Sequence, residues 1–190
     1  MHLSGTGIGD LFDITLMPVL GDVTYARGQE SDPQSGLWSY SDRSKEVVKP
    51  GYYATHLMRY DVDVELTTTK RVGFHKYTFN QKENNAVVFD LQNGGCWDSP
   101  TEAYINKVDE KTIEGYRYSS GWATDQRVYF VAEFSQPITS MDVIVDRGEA
   151  MANVGKGKMV YARANVDAKE PVYVKVALSP TSIENAKLNM

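Results

Sequence analysis

The sequence has little of three things that many functional sites need: thiols, imidazoles and concentrated positive charge. Its 190 residues include one cysteine, Cys96, and three widely separated histidines. A single thiol cannot form an intramolecular disulfide, and these few groups show no pattern of a zinc site, so we expect no metal ligands here. The 20 lysines and arginines are scattered and the net charge is −5, which excludes the basic surface that nucleic-acid phosphates require. We therefore expect no nucleic-acid partner.

Long apolar segments are also lacking. No run approaches the ~20 apolar residues of a membrane-spanning helix, and residues 1–7 have neither the basic nor the apolar region of a signal peptide. The sequence therefore predicts no membrane span. A signal peptide of a longer parent protein would precede Met1, so export stays open.

What the sequence does contain is an alternation of apolar and polar residues with a period of two. Residues 61–67 are the clearest case, since Val62, Val64 and Leu66 alternate with acidic residues. Similar runs follow one another with short, turn-like breaks and no helical pattern between them, which favours antiparallel connections. We predict an all-β fold, an antiparallel β-sandwich of two packed sheets, with strands at 11–17, 52–58, 61–67, 71–79, 86–91, 103–108, 112–119, 127–134, 141–145, 159–166 and 172–178.

Two segments depart from this pattern. Residues 21–51 are rich in Gly, Ser, Asp and Gln and form the one long irregular stretch, which is typical of a functional or mobile loop. Near the end, Ser182 is a plausible helix cap and Glu184 faces the positive end of the helix dipole. We predict a β-sandwich domain over residues 1–178 and the start of a linker helix over 179–190, continuing beyond Met190.

Two motifs have alternative interpretations. The glycine-rich stretch of residues 5–10 is not preceded by a strand and lacks a following Lys-Ser or Lys-Thr pair, so we favour a tight turn over a nucleotide site. Asp61, Asp63 and Glu65 are spaced like the first ligands of a calcium loop, but Leu66 stands where that loop needs glycine. We favour a solvated strand face for these three acids.

The candidate binding residues are few. His56 and His75 lie in strand patterns and are interpreted as packing or hydrogen-bonded residues. His2 lies in the glycine turn with Ser4 and Thr6, where a polar pocket and a packing role are equally plausible.

Aromatic rings beside polar groups are the usual means of holding a sugar. Trp97-Asp98 and the segment 121–126 with Trp122 both lie between strands, so a site at the loop end of the sandwich is one interpretation. An aromatic at the rim of the core is the other. Glycoside hydrolysis needs two carboxyl groups, and none of the 25 acidic residues is marked by its setting, so we assign no catalytic residue.

The chain resembles the exo-acting, calcium-dependent α-mannosidases of glycoside hydrolase family 92. The resemblance follows the order of the sequence across nearly the whole chain. Its segments are residues 2–7 with Gly9-Asp10, then 49–53, 64–67, 71–75, 113–117, 121–123 with Asp125-Gln126, 128–134 and 182–186.

The resemblance implies a β-sandwich ahead of an (α/α)6 barrel, with the active site where the two domains meet. It implies that the acid, the base and most calcium ligands belong to the barrel, so we expect no cofactor in this fragment. His2, Ser4, Gly5 and Thr6 would edge the mannose pocket, with Trp122 as a further candidate.

The leading hypothesis is an accessory domain of a glycosidase that removes terminal α-mannose, with inversion and with α-1,2 preference, from mannose-containing glycans. The isolated fragment would be inactive, and the parent would be periplasmic, cell-surface or secreted and act in N-glycan degradation. The alternatives are a free-standing carbohydrate-binding module and a purely structural scaffold.

Overall fold

The structure, a computed structural model, describes residues 14–93 and 98–190. Within them lie fourteen strands, one short 3-10 helix (Arg43–Lys45) and one α-helix, α1 (Ile183–Asn189). The strands are β1 (Thr15–Leu20), β2 (Val47–Lys49), β3 (Tyr52–Leu57), β4 (Val62–Thr68), β5 (Val72–Phe79), β6 (Asn85–Asp90), β7 (Ser99–Lys107), β8 (Thr112–Ser120), β9 (Gln126–Phe134), β10 (Ile138–Val145), β11 (Ala150–Ala152), β12 (Val154–Gly157), β13 (Val160–Val166) and β14 (Val172–Ser179).

The strands form two antiparallel sheets, so the predicted all-β sandwich is confirmed. The smaller sheet has the order β1-β6-β13-β10-β11, and the larger has the order β12-β7-β8-β9-β14-β5-β4-β3-β2. Each predicted strand has a counterpart among the described residues, with ends shifted by a few positions. The short strands β2, β11 and β12 were missed because three or four residues are too few to show a period.

Alternation along the strands builds the core between the sheets. In β4, Val62 and Val64 are fully buried, while Asp63 and Glu65 lie on the opposite face. The Asp63 carboxylate lies 2.8 Å from Nδ1 of His56, and Glu65 accepts a hydrogen bond of 2.6 Å from Lys76. Asp63 and Glu65 are therefore part of a strand face, as predicted, whereas Asp61 lies in the turn before β4 with a φ of 49°.

Many of the tyrosines lie on the outer face of the larger sheet, where they pack on each other. The ring centroids of Tyr104 and Tyr116 are 5.4 Å apart, and those of Tyr116 and Tyr118 are 4.4 Å apart in a stacked arrangement. Because Tyr116 packs against both of these rings, the high tyrosine content reflects strand packing here.

At one edge, the strands β11 and β12 join the two sheets. β11 pairs with β10 of the smaller sheet, and β12 pairs with β7 of the larger one. Gly155 permits this closure, because a Cβ there would lie 2.5 Å from Cγ1 of Val143. The sandwich is therefore closed at this edge by a direct chain connection.

The other edge is closed by residues 21–46, which were predicted as part of a long irregular loop. That prediction was wrong in part, since β2 and the 3-10 helix form within 21–51 and Leu37 is buried. Arg59 holds the segment by donating from Nη1 to the carbonyls of Ser35, Gly36 and Trp38 at 2.9 to 3.1 Å. The segment is thus a packed cover.

Helix α1 begins where it was predicted. The Ser182 hydroxyl accepts a hydrogen bond of 3.1 Å from the Asn185 backbone N–H, and Glu184 lies in the first turn. The helix packs on β14, β9 and β8, and Ala186 is completely buried against them. No helix in the described part of the chain is long and apolar enough to cross a membrane.

Candidate functional site

One end of the sandwich gathers the connections that carry the predicted sugar-binding residues. β6 and β8 end there, and β7 begins there, since Ser99 pairs with Ser120. The chain enters β1 at the same end, because Thr15 pairs with Asp90, and β13 begins beside them. We call this region, with residues 91–93, 98, 121–125 and 158–159, the loop end.

A buried arginine joins the core to the loop end. Arg117 is fully buried on the inner face of β8. Its Nε donates to the Leu91 carbonyl at 2.8 Å, its guanidinium also contacts the Gln92 carbonyl, and Nη1 forms an ion pair with Asp98. Burying a guanidinium is costly unless it is paired and hydrogen-bonded. Arg117 therefore fixes both described ends of the connection between β6 and β7.

Asp90 organises the same connection from the other sheet. Its carboxylate is nearly buried and accepts hydrogen bonds from the backbone N–H of Gln92 at 3.0 Å and of Asn93 at 2.9 Å. The Asn93 amide also donates to Asp90 and to the Tyr161 hydroxyl, at 2.8 and 2.9 Å. Burial raises the pKa of Asp90, and these hydrogen bonds oppose that rise.

A polar cavity of about 270 Å³ opens beside these groups. Gln92, Asn93 and Asp98 line one side, with Arg27 and Lys158 across from them. It thus combines amide, carboxylate and cationic groups, which suit a ligand with many hydroxyl groups.

The connection between β8 and β9 lies against this cavity. At Gly121, a Cβ would be 2.7 Å from Cα of Asp98, so glycine allows the two loops to touch. The next residue, Trp122, is 67% exposed. The structure therefore brings Gly121, the neighbour of the predicted candidate Trp122, against Asp98, one of the two residues of the other predicted sugar-binding motif.

The remaining predicted site residues cannot be placed. His2, Ser4, Gly5 and Thr6 lie outside the described residues, as do Cys96 and Trp97. Their predicted roles stay predictions. Among the described residues, Thr15 is the first residue of β1, and it pairs with Asp90 at the loop end.

The two described histidines are hydrogen-bonded, as predicted. His56 contacts Asp63, and Nδ1 of His75 lies 2.7 Å from the Tyr77 hydroxyl. His75 is 2% exposed, and burial lowers its pKa to about 4. Its imidazole is therefore uncharged near neutral pH.

The described acidic residues do not form a calcium site. Across residues 14–93 and 98–190, no group of three or more His, Cys, Asp or Glu side chains is close enough to hold a metal ion. Calcium takes six to eight oxygen ligands.

Sequence reasoning missed the structural roles of Arg117 and Asp90. A signal for Arg117 was available, since it shares the inward register of Ile113 and Ser119 along an alternating strand. A charged residue in an inward position predicts a buried charge with a partner. Asp90 ends a strand before Asn93-Gly94-Gly95, a pattern typical of a side-chain-capped turn.

Comparisons with known proteins show the family and the fold of the chain. The model of the glycosyl hydrolase family 92 N-terminal domain matches residues 1–179. A family GH92 α-mannosidase from Bacteroides thetaiotaomicron, solved in complex with mannoimidazole, is 32% identical over 100% of this chain with a TM-score of 0.90. This chain covers 26% of that structure's chain.

A family GH92 inverting mannosidase from the same organism has 20% identity and a TM-score of 0.72 over 93% of this chain and 23% of its own. At that identity, the likeness shows the fold alone. The search of curated protein sequences gave no match.

Proposed function

The chain belongs to glycosyl hydrolase family 92 as an N-terminal domain of that family, and we propose that it forms one wall of the mannose pocket of a calcium-dependent exo-α-mannosidase. The parent enzyme would release terminal α-1,2-linked mannose from glycans. This chain spans about a quarter of the solved relatives, 26%. The proposal therefore assigns catalysis to a separate (α/α)6 domain.

The observation that carries the proposal is the meeting of two connections at the loop end. Gly121 lies against Asp98, which lines the polar cavity and is anchored by the buried Arg117, and the next residue, Trp122, has a 67% exposed indole. The apolar face of a pyranose packs on a flat aromatic ring while its hydroxyls form directional hydrogen bonds. A rigid anchor beneath the loops would hold both features in place.

The interactions of the two carboxylates at the loop end, Asp90 and Asp98, support a role as part of the pocket wall and not as catalytic groups. Asp98 is paired with Arg117, and Asp90 accepts three hydrogen bonds from Gln92 and Asn93. A catalytic acid or base must exchange a proton with the glycosidic oxygen or with water. Carboxylates committed to internal partners suit a positioning role.

In the proposed enzyme, the β-sandwich domain limits the depth of the mannose pocket, and the (α/α)6 domain carries out catalysis. An inverting glycosidase needs an acid and a base about 6.5–9.5 Å apart with a water between them, and both would come from the other domain. The loop end would close the pocket beyond the terminal sugar, so that only a chain end enters. A calcium ion in the other domain would orient sugar hydroxyls.

The proposed substrate sets the location and the biological role of the parent. Mannose-terminated N-glycans are carried outside the cytoplasm. We therefore propose a periplasmic, cell-surface or secreted parent enzyme that acts in N-glycan degradation.

Activity assays test the division of labour. The parent enzyme is expected to hydrolyse α-1,2-mannobiose and an aryl α-mannoside, and the 190-residue chain alone to hydrolyse neither. Hydrolysis by the chain alone would contradict the assignment of both catalytic carboxylates to another domain.

The exposure of Trp122 also favours a second candidate, a carbohydrate-binding module that works without a catalytic partner. Calorimetry of the chain with mannobiose separates the two functions, provided that Trp122→Ala is measured in parallel. Binding that is lost in this variant supports the module. Binding that is absent, or that does not depend on Trp122, supports the wall.

A further inference from the structure

A second cavity lies on the inner face of the larger sheet, away from the loop end. Its volume is about 280 Å³, and it lies over the strands β2 to β5. The five-stranded sheet is too narrow to cover all nine strands of its partner. Tyr53, Leu66 and His75 form the floor, in one row across three neighbouring strands.

The floor combines apolar surface with one buried polar group. Leu66 and the Tyr53 ring supply the apolar part, and His75 is 2% exposed. Since Nδ1 of His75 is engaged by the Tyr77 hydroxyl, Nε2 is the ring nitrogen left for an occupant of the cavity. Gly73 also lines the cavity.

The rim of the cavity is polar. Thr68 shares the inward register of Leu66 and donates its hydroxyl proton to the Thr69 carbonyl at 2.7 Å. Its oxygen can still accept a hydrogen bond. Lys49 is the one charged residue of the lining.

We propose that this cavity is a second subsite for a neutral pyranose ring. The apolar floor matches one face of the ring, and Nε2 of His75 with the Thr68 hydroxyl oxygen matches its hydroxyl groups. An imidazole with a pKa of about 4 is uncharged near neutral pH and does not attract an anion. The choice of mannose as the pyranose rests on the proposed function.

The position of the subsite implies an extended or branched glycan. β4 and β8 are four intervals apart in the sheet, which corresponds to roughly 19 Å at ~4.8 Å per interval. A sugar at the loop end therefore cannot also fill this cavity, and another unit of the same glycan would do so. Two linked contacts raise the overall affinity without any new catalytic group.

The test is an NMR titration of the 190-residue chain with methyl α-D-mannopyranoside. We expect shifts at the Leu66 methyl groups and the His75 ring. Leu66→Trp should fill the cavity and abolish binding. The control Met58→Trp, at an exposed residue beyond the opposite end of β3, should leave binding unchanged.

A second variant tests the hydrogen bond. His75→Asn retains a polar atom near the Nδ1 position and lacks Nε2, so binding should weaken several-fold to about tenfold. If Leu66→Trp does not fold, His75→Asn still tests whether the cavity binds the sugar. Absence of shifts at both Leu66 and His75 in the wild-type chain would overturn the proposal.

Two further measurements distinguish a neutral-sugar subsite from an anion site and from an extension of the loop end. Tighter binding of methyl α-D-glucuronide than of the mannoside would overturn the assignment to a neutral ring. Loss of the Leu66 shifts in Trp122→Ala would show that the cavity is not an independent site. Retained shifts, with the parent inactive on mannosides, would refute the proposed function and leave the subsite standing.

Discussion

Arg117 should be the residue on which the stability of the loop end depends most. It is 0% exposed, and its guanidinium holds the carbonyls of Leu91 and Gln92 and the Asp98 carboxylate. Arg117→Met preserves much of the side-chain volume but leaves these oxygens without their donor. Breaking a buried ion pair by removing one partner costs about 3–5 kcal/mol.

The Asp98 side chain is 17% exposed, so it can recover part of its hydration when the arginine is lost. We therefore expect the lower end of that range, about 3 kcal/mol, for Arg117→Met. Asp98→Asn removes the carboxylate but leaves the buried guanidinium, which stays charged because it cannot be deprotonated. This variant should therefore lose at least as much stability as Arg117→Met. Because both variants break one interaction, the double variant should cost about 1–3 kcal/mol less than the sum.

Urea unfolding followed by circular dichroism gives these free energies. For a chain of this size, about 3 kcal/mol corresponds to a fall in Tm of roughly 6–12 °C. The matched control is Arg127→Met, which removes an exposed arginine paired with Asp125 and should change stability much less. Arg117→Met within about 0.5 kcal/mol of wild type, or strict additivity in the cycle, would refute the account.

Three more predictions concern single contacts. The pKa of His75 is about 4 when folded and near 6.5 when unfolded, so the unfolded chain binds more protons between these values, and stability should fall as the pH drops through this window. Urea unfolding at a series of pH values should show that the wild-type chain loses up to about 3 kcal/mol more of its free energy of unfolding across this window than His75→Asn does. The same dependence on pH in both proteins would contradict a buried neutral imidazole. Ser182→Ala removes the acceptor for the Asn185 N–H. Hydrogen exchange of the backbone amides in α1 should become faster, corresponding to a loss of about 1 kcal/mol in protection free energy, and unchanged exchange rates would rule out the cap. Gly121→Ala places a Cβ 2.7 Å from Cα of Asp98, and about 1–3 kcal/mol of stability should be lost, whereas a neutral result would show that the loops do not touch.

The strands of the fold were predictable because the alternation of side chains is local. Val62 and Val64 point inward whatever the distant partners of β4 are, and Ser182 caps its helix through an atom three residues away. The pairing order of the strands has no such local signal. The cover formed by residues 21–46 likewise depends on Arg59, whose hydrogen bonds reach back more than twenty residues.

The candidate site was predictable only in outline. Trp122 was identified from its loop and its neighbours, but the contact of the preceding Gly121 with Asp98 joins two separate connections and has no local signal. The second cavity had no sequence signal, since Tyr53, Leu66 and His75 come together only through the register of three strands.

The most direct test of the proposed wall is the effect of Trp122→Ala on hydrolysis of α-1,2-mannobiose by the parent enzyme. Loss of stacking worth about 1–1.5 kcal/mol predicts a fall in kcat/KM of roughly tenfold, with an unchanged Tm because the indole is 67% exposed. Trp38→Phe, in the cover segment, serves as a control that should leave kcat/KM unchanged. If Trp122→Ala hydrolyses mannobiose as efficiently as the wild-type enzyme, the loop end is not a wall of the mannose pocket.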